Sequence, residues 1–262
     1  MWQRFLFMAL GIMLMVGLWF WFGPSPENAS APPIIEEPPI LLPEPSREEA
    51  PLPPPVAVPR EITESIRYTV PFTSQAPTGD WSQSAFQDGC EEASTLMVWM
   101  ARTGTTLTRE EARTKLLHMA EFQTEKIGHG VDTDISDTQE YLLKQYFNIT
   151  DARVETDITL TDLKAALQEG LVIVPTNGRA LKNPNFTRPG PLQHMLVLTG
   201  YDVATQEFIT HDPGTRLGKD YRYAERVLFD AIREYPTGKH LPIPTERKTM
   251  LVVPFDPTPV SK

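Results

Sequence analysis

Proline is concentrated in one stretch of the chain, and that stretch limits where a core can form. Between Gly23 and Pro59 about one residue in three is proline, interspersed with Glu, Ser and Ala. Such a composition cannot bury enough apolar surface to fold, and it favours extended polyproline conformations. We therefore interpret residues 23–60 as a linker that precedes a folded domain over residues 61–262.

An apolar run precedes this linker. From Phe5 to Phe22 the sequence has no charge and no proline. At about 1.5 Å of rise per residue, a helix of this length just spans the hydrocarbon of a bilayer. We predict a transmembrane helix over residues 5–22 that is retained as a signal anchor. The small residues Ala29-Ser30-Ala31 leave cleavage and secretion open as the alternative.

The distribution of charge predicts how this helix is oriented and which partners are excluded. Arg4 precedes the helix and the next basic residue is Arg47, so residues 1–4 should stay cytoplasmic and the C-terminal domain should be extracytoplasmic at the cell membrane. The net charge is −10 and the basic residues form no run. Nucleic acid is therefore excluded as a partner.

Helical patterns dominate the first half of the domain. Apolar residues at i, i+3, i+4 and i+7 predict a helix over Cys90–Arg102. The capping-box spacing of Thr108 and Glu111 predicts a second helix that ends near Met119. A third helix is predicted in "TQEYLLKQYF", capped by Ser136 or Asp137, and a fourth in "LTDLKAALQEG", ended by Gly170.

Strand patterns dominate the second half. Short apolar or β-branched runs punctuated by Gly, Pro and Asp predict strands in "LVIVPT", "HMLVLTGY", "EFITHD" and "TMLVVPF". The segment "YRYAERVLFDAI" is ambiguous between strand and helix. Helices followed by a meandering sheet indicate an α+β domain with an antiparallel sheet, and not a doubly wound parallel one.

Cys90 is the only cysteine of the chain and stands at the start of a predicted helix. A single cysteine forms no intramolecular disulfide. Unpaired N–H groups at a helix start favour negative charge and lower the pKa of a thiol. Glu91 and Glu92 in the same turn oppose this effect, so activation would require a nearby imidazolium. Cys90 is therefore either a nucleophile or a small buried side chain.

His194 stands at the head of the strand "HMLVLTGYD", where a rigid backbone would hold its ring as a general base requires. Asp212 ends the strand "EFITHD" and could accept a ring N–H from His194 if the two strands are neighbours. The alternatives are a histidine satisfied by backbone and an ordinary turn aspartate. His211 is another candidate base, although its side chain should point to the face opposite Asp212. The other histidines have no obvious partner: His118, His129 and His240.

Acyl transfer also needs a neutral donor for the oxyanion beside the backbone N–H of Cys90. Gln75, Gln83 and Gln87 all precede the cysteine, and spacing alone does not choose among them. The sequence has no cluster of cysteine and histidine for zinc and no glycine-rich phosphate loop. It therefore predicts neither a metal nor a cofactor.

These motifs together resemble a known family. In order they are "VPFTSQ", "DGCEEASTLMVWM", "GLVIVPTNG", "HMLVLTGYD" and "FITHDPG", from about Tyr68 to Gly214. They resemble the papain-like cysteine peptidases related to the bacteriocin-processing, double-glycine leader peptidases. The resemblance implies an α+β papain-like fold with no cofactor. It also implies a role for four residues: Cys90 as nucleophile, His194 as base, Asp212 as the group that orients His194, and Gln75 as oxyanion donor.

Two departures limit what the resemblance implies. The gap between Gln75 and Cys90 is longer than is common in such sites, which keeps Gln83 and Gln87 open as oxyanion donors. The sequence also has no transporter segment, so cleavage after a double-glycine leader is not implied.

The expected function is that of a membrane-anchored, extracytoplasmic cysteine peptidase with a peptide or protein substrate, for which cell-wall peptides are one candidate. The alternatives are a cell-wall amidase or acyl transferase of the same fold, and an inactive peptidase-like binding module on a stalk.

Overall fold

One antiparallel sheet organises the residues that the computed structural model describes, which are 62–128, 132–238 and 246–256. Within these ranges seven strands pair in the order β2-β7-β3-β4-β5-β6, and β1 pairs with one end of β4. The strands are β1 (Ile66–Arg67), β2 (Arg153–Thr156), β3 (Gly170–Thr176), β4 (His194–Asp202), β5 (Glu207–His211), β6 (Tyr221–Ala224) and β7 (Thr249–Pro254). The helices are α1 (Ser84–Gln87), α2 (Cys90–Thr103), α3 (Arg109–Ile127), α4 (Ile135–Asp137), α5 (Leu160–Ala166) and α6 (Glu225–Ala231), with a π-helical segment (Thr138–Tyr146) after α4.

The sheet is covered on both faces, which explains why its central strands have continuous apolar sequences. Successive side chains of a strand point to opposite faces. Accordingly, Leu171 and Ile173 of β3 belong to the core that includes α2 and α3. Val172 and Val174 belong to the core that includes α5 and α6. The α+β class and the antiparallel sheet expected from the sequence are confirmed.

Helix α2 begins at the predicted residue, Cys90, and ends one residue later than predicted, at Thr103. Gly104 closes it in the left-handed region with φ 66°, as glycine does at many helix ends. Gly89 precedes it, and a Cβ at that position would lie only 2.4 Å from the carbonyl oxygen of Ala85. Glycine therefore lets α1 end close against the start of α2, which fixes where Cys90 lies.

Two predicted helix ends are wrong. The capping box of Thr108 and Glu111 is present, but α3 continues past Met119 to Ile127, because Ala120 and Gln123 extend its buried face. Helix α5 ends at Ala166, and Gly170 is the first residue of β3 instead of a helix terminator.

The third predicted helix is present but differs in its start and its geometry. Asp134, and not Ser136 or Asp137, caps α4, since its side chain accepts a hydrogen bond from the Asp137 N–H at 2.8 Å. The chain then continues as the π-helical segment. The ambiguous segment "YRYAERVLFDAI" divides into β6 and α6.

The predicted transmembrane helix at 5–22 and the linker at 23–60 lie outside the described residues. Among the helices of the described ranges, none combines the length and the apolar character needed to cross a bilayer.

Candidate active site

A cleft of about 780 Å³ is lined by three of the four sequence-predicted site residues, and the fourth, Asp212, lies buried next to His194. Cys90 reaches it from the start of α2, His194 from the start of β4, and Gln75 from the segment that follows β1. Helix α2 lies against β4, where Ser94 Oγ donates a hydrogen bond to the Met195 carbonyl at 3.3 Å. The same contact holds the first turn of α2 beside the first residues of β4.

His194 and Asp212 form a buried pair where β4 begins and β5 ends. His194 Nε2 lies 2.8 Å from Asp212 Oδ1, and the two side chains are 2% and 0% exposed. Strands β4 and β5 are antiparallel neighbours, with Val197 opposite His211. This is the strand arrangement that the expected pairing of His194 with Asp212 required. The bond uses Nε2, which leaves Nδ1 as the ring nitrogen for proton transfer.

The ring of His194 is held from two further sides. Phe186 packs edge-on against it, with 5.3 Å between ring centroids. In addition, a Cβ at Gly214 would lie 2.9 Å from His194 Cε1, so glycine permits the loop after Asp212 to approach the ring closely. These contacts restrict both the position and the rotation of the imidazole.

Asp212 accepts four hydrogen bonds in total. Besides His194, it accepts from the Gly214 N–H at 3.0 Å, the Tyr223 hydroxyl at 2.6 Å and Asn183 Nδ2 at 3.2 Å. Burial acts to raise the pKa of Asp212, but the charge of His194 and the bonds from His194, Tyr223 and Gly214 outweigh it, so the pKa lies below its ordinary value. Asn183 and Tyr223 were not among the site residues predicted from the sequence.

The surroundings of the Cys90 thiol favour its protonated form. It is 3% exposed, and Sγ donates a hydrogen bond to Glu91 Oε2 at 3.2 Å. Burial raises the pKa of Cys90, and the carboxylates of Glu91 and Asp132 raise it further, while a backbone hydrogen bond from Met195 acts in the opposite direction. Glu91, which was expected to oppose formation of the thiolate, therefore contacts the thiol directly.

Three acidic side chains are buried near the start of α2. Glu91, Glu92 and Asp132 are 1%, 3% and 4% exposed, and one ligand atom each of Cys90, Glu91 and Asp132 lies within 4.8 Å of the others. Cys90 Sγ donates a hydrogen bond to Glu91 Oε2 within this group. We therefore describe this group as a hydrogen-bonded acidic cluster. Charged residues are rarely fully buried, and no sequence pattern predicted the burial of these three.

The three candidate glutamines differ in what their amides bind. Gln75 Nε2 donates to the Phe86 and Gln87 carbonyls at 3.0 and 2.9 Å, and its Oε1 is buried with no hydrogen-bond partner within the described residues. Gln87 lines the cleft and donates to the Trp81 carbonyl at 2.9 Å. Gln83 precedes α1. The assignment of Gln75 as oxyanion donor stays a prediction, since both of its amide hydrogens are engaged in this conformation.

His211 is placed as a structural residue. Its Nε2 lies 2.9 Å from the Val70 carbonyl, and its Nδ1 accepts from the Asp220 N–H at 3.2 Å. Burial lowers the pKa of His211. His118 is on α3 and contacts the Tyr146 hydroxyl at 2.6 Å, while His129 and His240 lie outside the described residues.

Helices packed on an antiparallel sheet, with a cysteine at a helix start facing one end of that sheet, define a papain-like α+β fold. Residues 67–237 match the Peptidase_C39 like family, and the chain belongs to that family. Membership supports a cysteine-type peptidase and implies a peptide or protein substrate. Comparison with curated proteins gave no match.

Proposed function

We propose that this protein is a membrane-anchored, extracytoplasmic cysteine peptidase that uses Cys90, His194 and Asp212. The observation that carries the proposal is the buried His194–Asp212 pair in the same cleft as a cysteine at a helix start. A base held by a carboxylate beside a thiol is the arrangement that nucleophilic acyl transfer requires. The anchor and the location rest on the apolar run from Phe5 to Phe22 and the basic residue Arg4.

The first half of the mechanism forms a thioester. The Cys90 thiol exchanges its hydrogen bond with Glu91 for one with His194 Nδ1 and transfers its proton there. The thiolate attacks the peptide carbonyl carbon, and the oxyanion accepts a hydrogen bond from the Cys90 N–H, which has no intrahelical partner at the first position of α2. His194 then gives the proton to the nitrogen of the departing amine, and the C–N bond breaks.

The second half consumes one water. His194 takes a proton from water, and the hydroxide attacks the thioester carbonyl. The C–S bond breaks, the carboxylic acid leaves, and the proton returns to the thiolate. The amide of Gln75 would assist the oxyanion only after releasing one of its two carbonyl partners, so we assign it the weaker part of this role.

The lining of the cleft favours a peptide that carries both apolar and acidic groups. Trp81 and Leu217 are large apolar side chains that are 37% and 68% exposed, and both line the cleft. Exposed apolar surface at a concave site is typical of ligand contact. Arg179 and Arg216 also line it and supply positive charge for a substrate carboxylate.

We expect Leu217→Ala to raise KM by about tenfold for a peptide with an apolar side chain near the scissile bond, since burial of a leucine side chain contributes about 1.5–3 kcal/mol. The value of kcat should change little, because Leu217 does not contact the reacting groups of the proposal. Leu107→Ala is the matched control, as Leu107 lines a separate groove between α2 and α3. Equal KM values for wild type and Leu217→Ala would contradict this part of the proposal.

The proposal is tested with the full-length chain purified in detergent and a mixture of synthetic peptides. We expect peptide cleavage that iodoacetamide abolishes, with one label per chain, because Cys90 is the only cysteine. Cleavage that survives complete labelling would overturn the proposal. Products formed in ¹⁸O water separate two chemistries: hydrolysis places ¹⁸O in the new carboxylate, and acyl transfer to an amine does not.

A further inference from the structure

The thiol of Cys90 has its strongest contact with a carboxyl group that the proposed mechanism does not use. Cys90 Sγ lies 3.2 Å from Glu91 Oε2. The other oxygen of Glu91, Oε1, accepts a hydrogen bond from the Tyr235 hydroxyl at 2.5 Å. Glu91 is 1% exposed and Tyr235 is fully buried. The carboxyl group is thus held in a fixed orientation with one oxygen directed at the nucleophile.

The groups that face Glu91 are acidic or neutral. Cys90 and Glu92 lie on the same helix, Asp132 comes from the segment before α4, and Tyr235 comes from the segment after α6. From β4, the Met195 backbone contacts the thiol, and His194 lines the same cleft. A negative charge on Glu91 would therefore lie beside other acids and beside the developing thiolate.

We propose that Glu91, oriented by Tyr235, is a positioning residue that holds the proton of the Cys90 thiol and sets an upper pH limit for thiolate formation. The inference rests on the proposed function, since it concerns the nucleophile of that reaction. When Glu91 is neutral, the thiolate meets only a dipole. When Glu91 is ionised, the thiolate meets a full negative charge at hydrogen-bond distance, and repulsion at that distance in a buried site is large.

The direction of the titration follows from burial. Burial and the charge of Asp132 raise the pKa of Glu91 to about 8, although its hydrogen bonds with Tyr235 and Cys90 act to lower it. Glu91 is therefore protonated at neutral pH and becomes a carboxylate as the pH rises through about 8. Burial already opposes the thiolate, and ionised Glu91 adds a further opposition that is present above about pH 8 and absent below it.

The test measures the rate of Cys90 alkylation by iodoacetamide between pH 5 and 10 in the full-length chain, where Cys90 is the single reactive thiol. Wild type and Glu91→Gln should react at equal rates below about pH 7, because glutamine resembles the neutral carboxyl group. Above about pH 9 the Glu91→Gln thiol should react at least about tenfold faster, because the opposing charge is absent. Coincident profiles over the whole range would overturn the inference.

Two further variants separate this role from a general loss of charge. Glu92→Gln removes an adjacent, equally buried carboxyl group and should leave the profile close to that of wild type; a change as large as that of Glu91→Gln would also overturn the inference. Tyr235→Phe removes a donor to Glu91 and thereby raises the pKa of Glu91, so the pH above which ionised Glu91 slows alkylation should lie higher than in wild type. This comparison with wild type does not need Glu91→Gln to fold, and an unchanged pH dependence in Tyr235→Phe would count against the proposal.

The alkylation assay needs no substrate, so the inference and the proposed function can fail separately. A Glu91-dependent profile in a chain that cleaves no peptide would retain the inference and reject the function. Peptide cleavage with coincident alkylation profiles would do the reverse.

Discussion

Alanine in place of Cys90 is expected to lower kcat/KM for peptide hydrolysis by about 10⁴-fold or more, because the residue that forms the thioester is removed outright. The fold should persist. The substitution removes one buried sulfur atom and its hydrogen bond to Glu91, a change that costs about 1–2 kcal/mol of unfolding free energy. Peptide hydrolysis and thermal unfolding, measured on the same preparations, check the two parts of this result.

Ser94→Ala is the matched control for this loss. Ser94 lies on the same helix, is fully buried, and likewise loses one polar atom that contacts β4. It should cost similar stability and leave turnover within a few-fold of wild type. Residual turnover above about one hundredth of wild type in Cys90→Ala would show that Cys90 is not the nucleophile.

The part of the site that the sequence predicted is the part built from local features. Cys90 could be placed at a helix start because the apolar periodicity of the following residues predicts α2. The pairing of His194 with Asp212 could be anticipated because a short hairpin connects their strands, and strands joined in this way are antiparallel neighbours. Each of these inferences depends only on residues within a single helix or a single β-hairpin.

The part that the sequence did not predict depends on contacts between distant segments. Tyr235 meets Glu91 across 144 positions of the chain, and neither residue carries a periodic signal for that meeting. Two adjacent glutamates at a helix start are ordinarily exposed, so their burial follows only from the packing of α2 against the rest of the domain.

The predicted role of Gln75 shows a further limit of prediction from sequence. Sequence motifs identify Gln75 as a residue type suited to the oxyanion, but they do not show how its amide is oriented. That orientation depends on the carbonyls of Phe86 and Gln87, which the turn around α1 directs at Nε2. Roles that depend on the rotation of a side chain require the surrounding backbone to be known.

Asp212→Asn is expected to lower kcat by about 10³–10⁴-fold, because the amide cannot both accept the His194 Nε2–H and satisfy the other donors at that position. Four donors face the two carboxylate oxygens: His194, Tyr223, Asn183 and the Gly214 N–H. Asparagine offers a single oxygen, and its NH₂ group would face either His194 or Tyr223. The imidazole would then lose its orientation or adopt the opposite tautomer.

Asp220→Asn is the matched control, since it removes the same charge from a partly exposed carboxylate that pairs with Arg67 at 3.2 Å. Its kcat should stay near that of wild type. The double variant His194→Ala/Asp212→Asn should lose no more activity than His194→Ala alone, because Asp212 acts only through the His194 ring. A further loss in the double variant would contradict the assignment of Asp212. A nearly normal kcat in Asp212→Asn would contradict it as well.

Asp212→Asn should also change how the unfolding free energy depends on acidic pH. The pKa of Asp212 is lowered in the folded protein, so its ionised form stabilises the fold at pH values above the unfolded pKa of about 3.9, and this stabilisation is lost as the pH falls below that value. Wild type should therefore lose unfolding free energy more steeply than Asp212→Asn below pH 4. Urea unfolding at pH 3 to 6 measures this difference without substrate. Parallel curves for the two proteins would show that folding leaves the pKa of Asp212 unshifted, contrary to this prediction. A wild type that gains stability relative to Asp212→Asn as the pH falls would show that Asp212 is protonated in the fold, and an un-ionised Asp212 could not stabilise the imidazolium on which the proposed proton transfer depends.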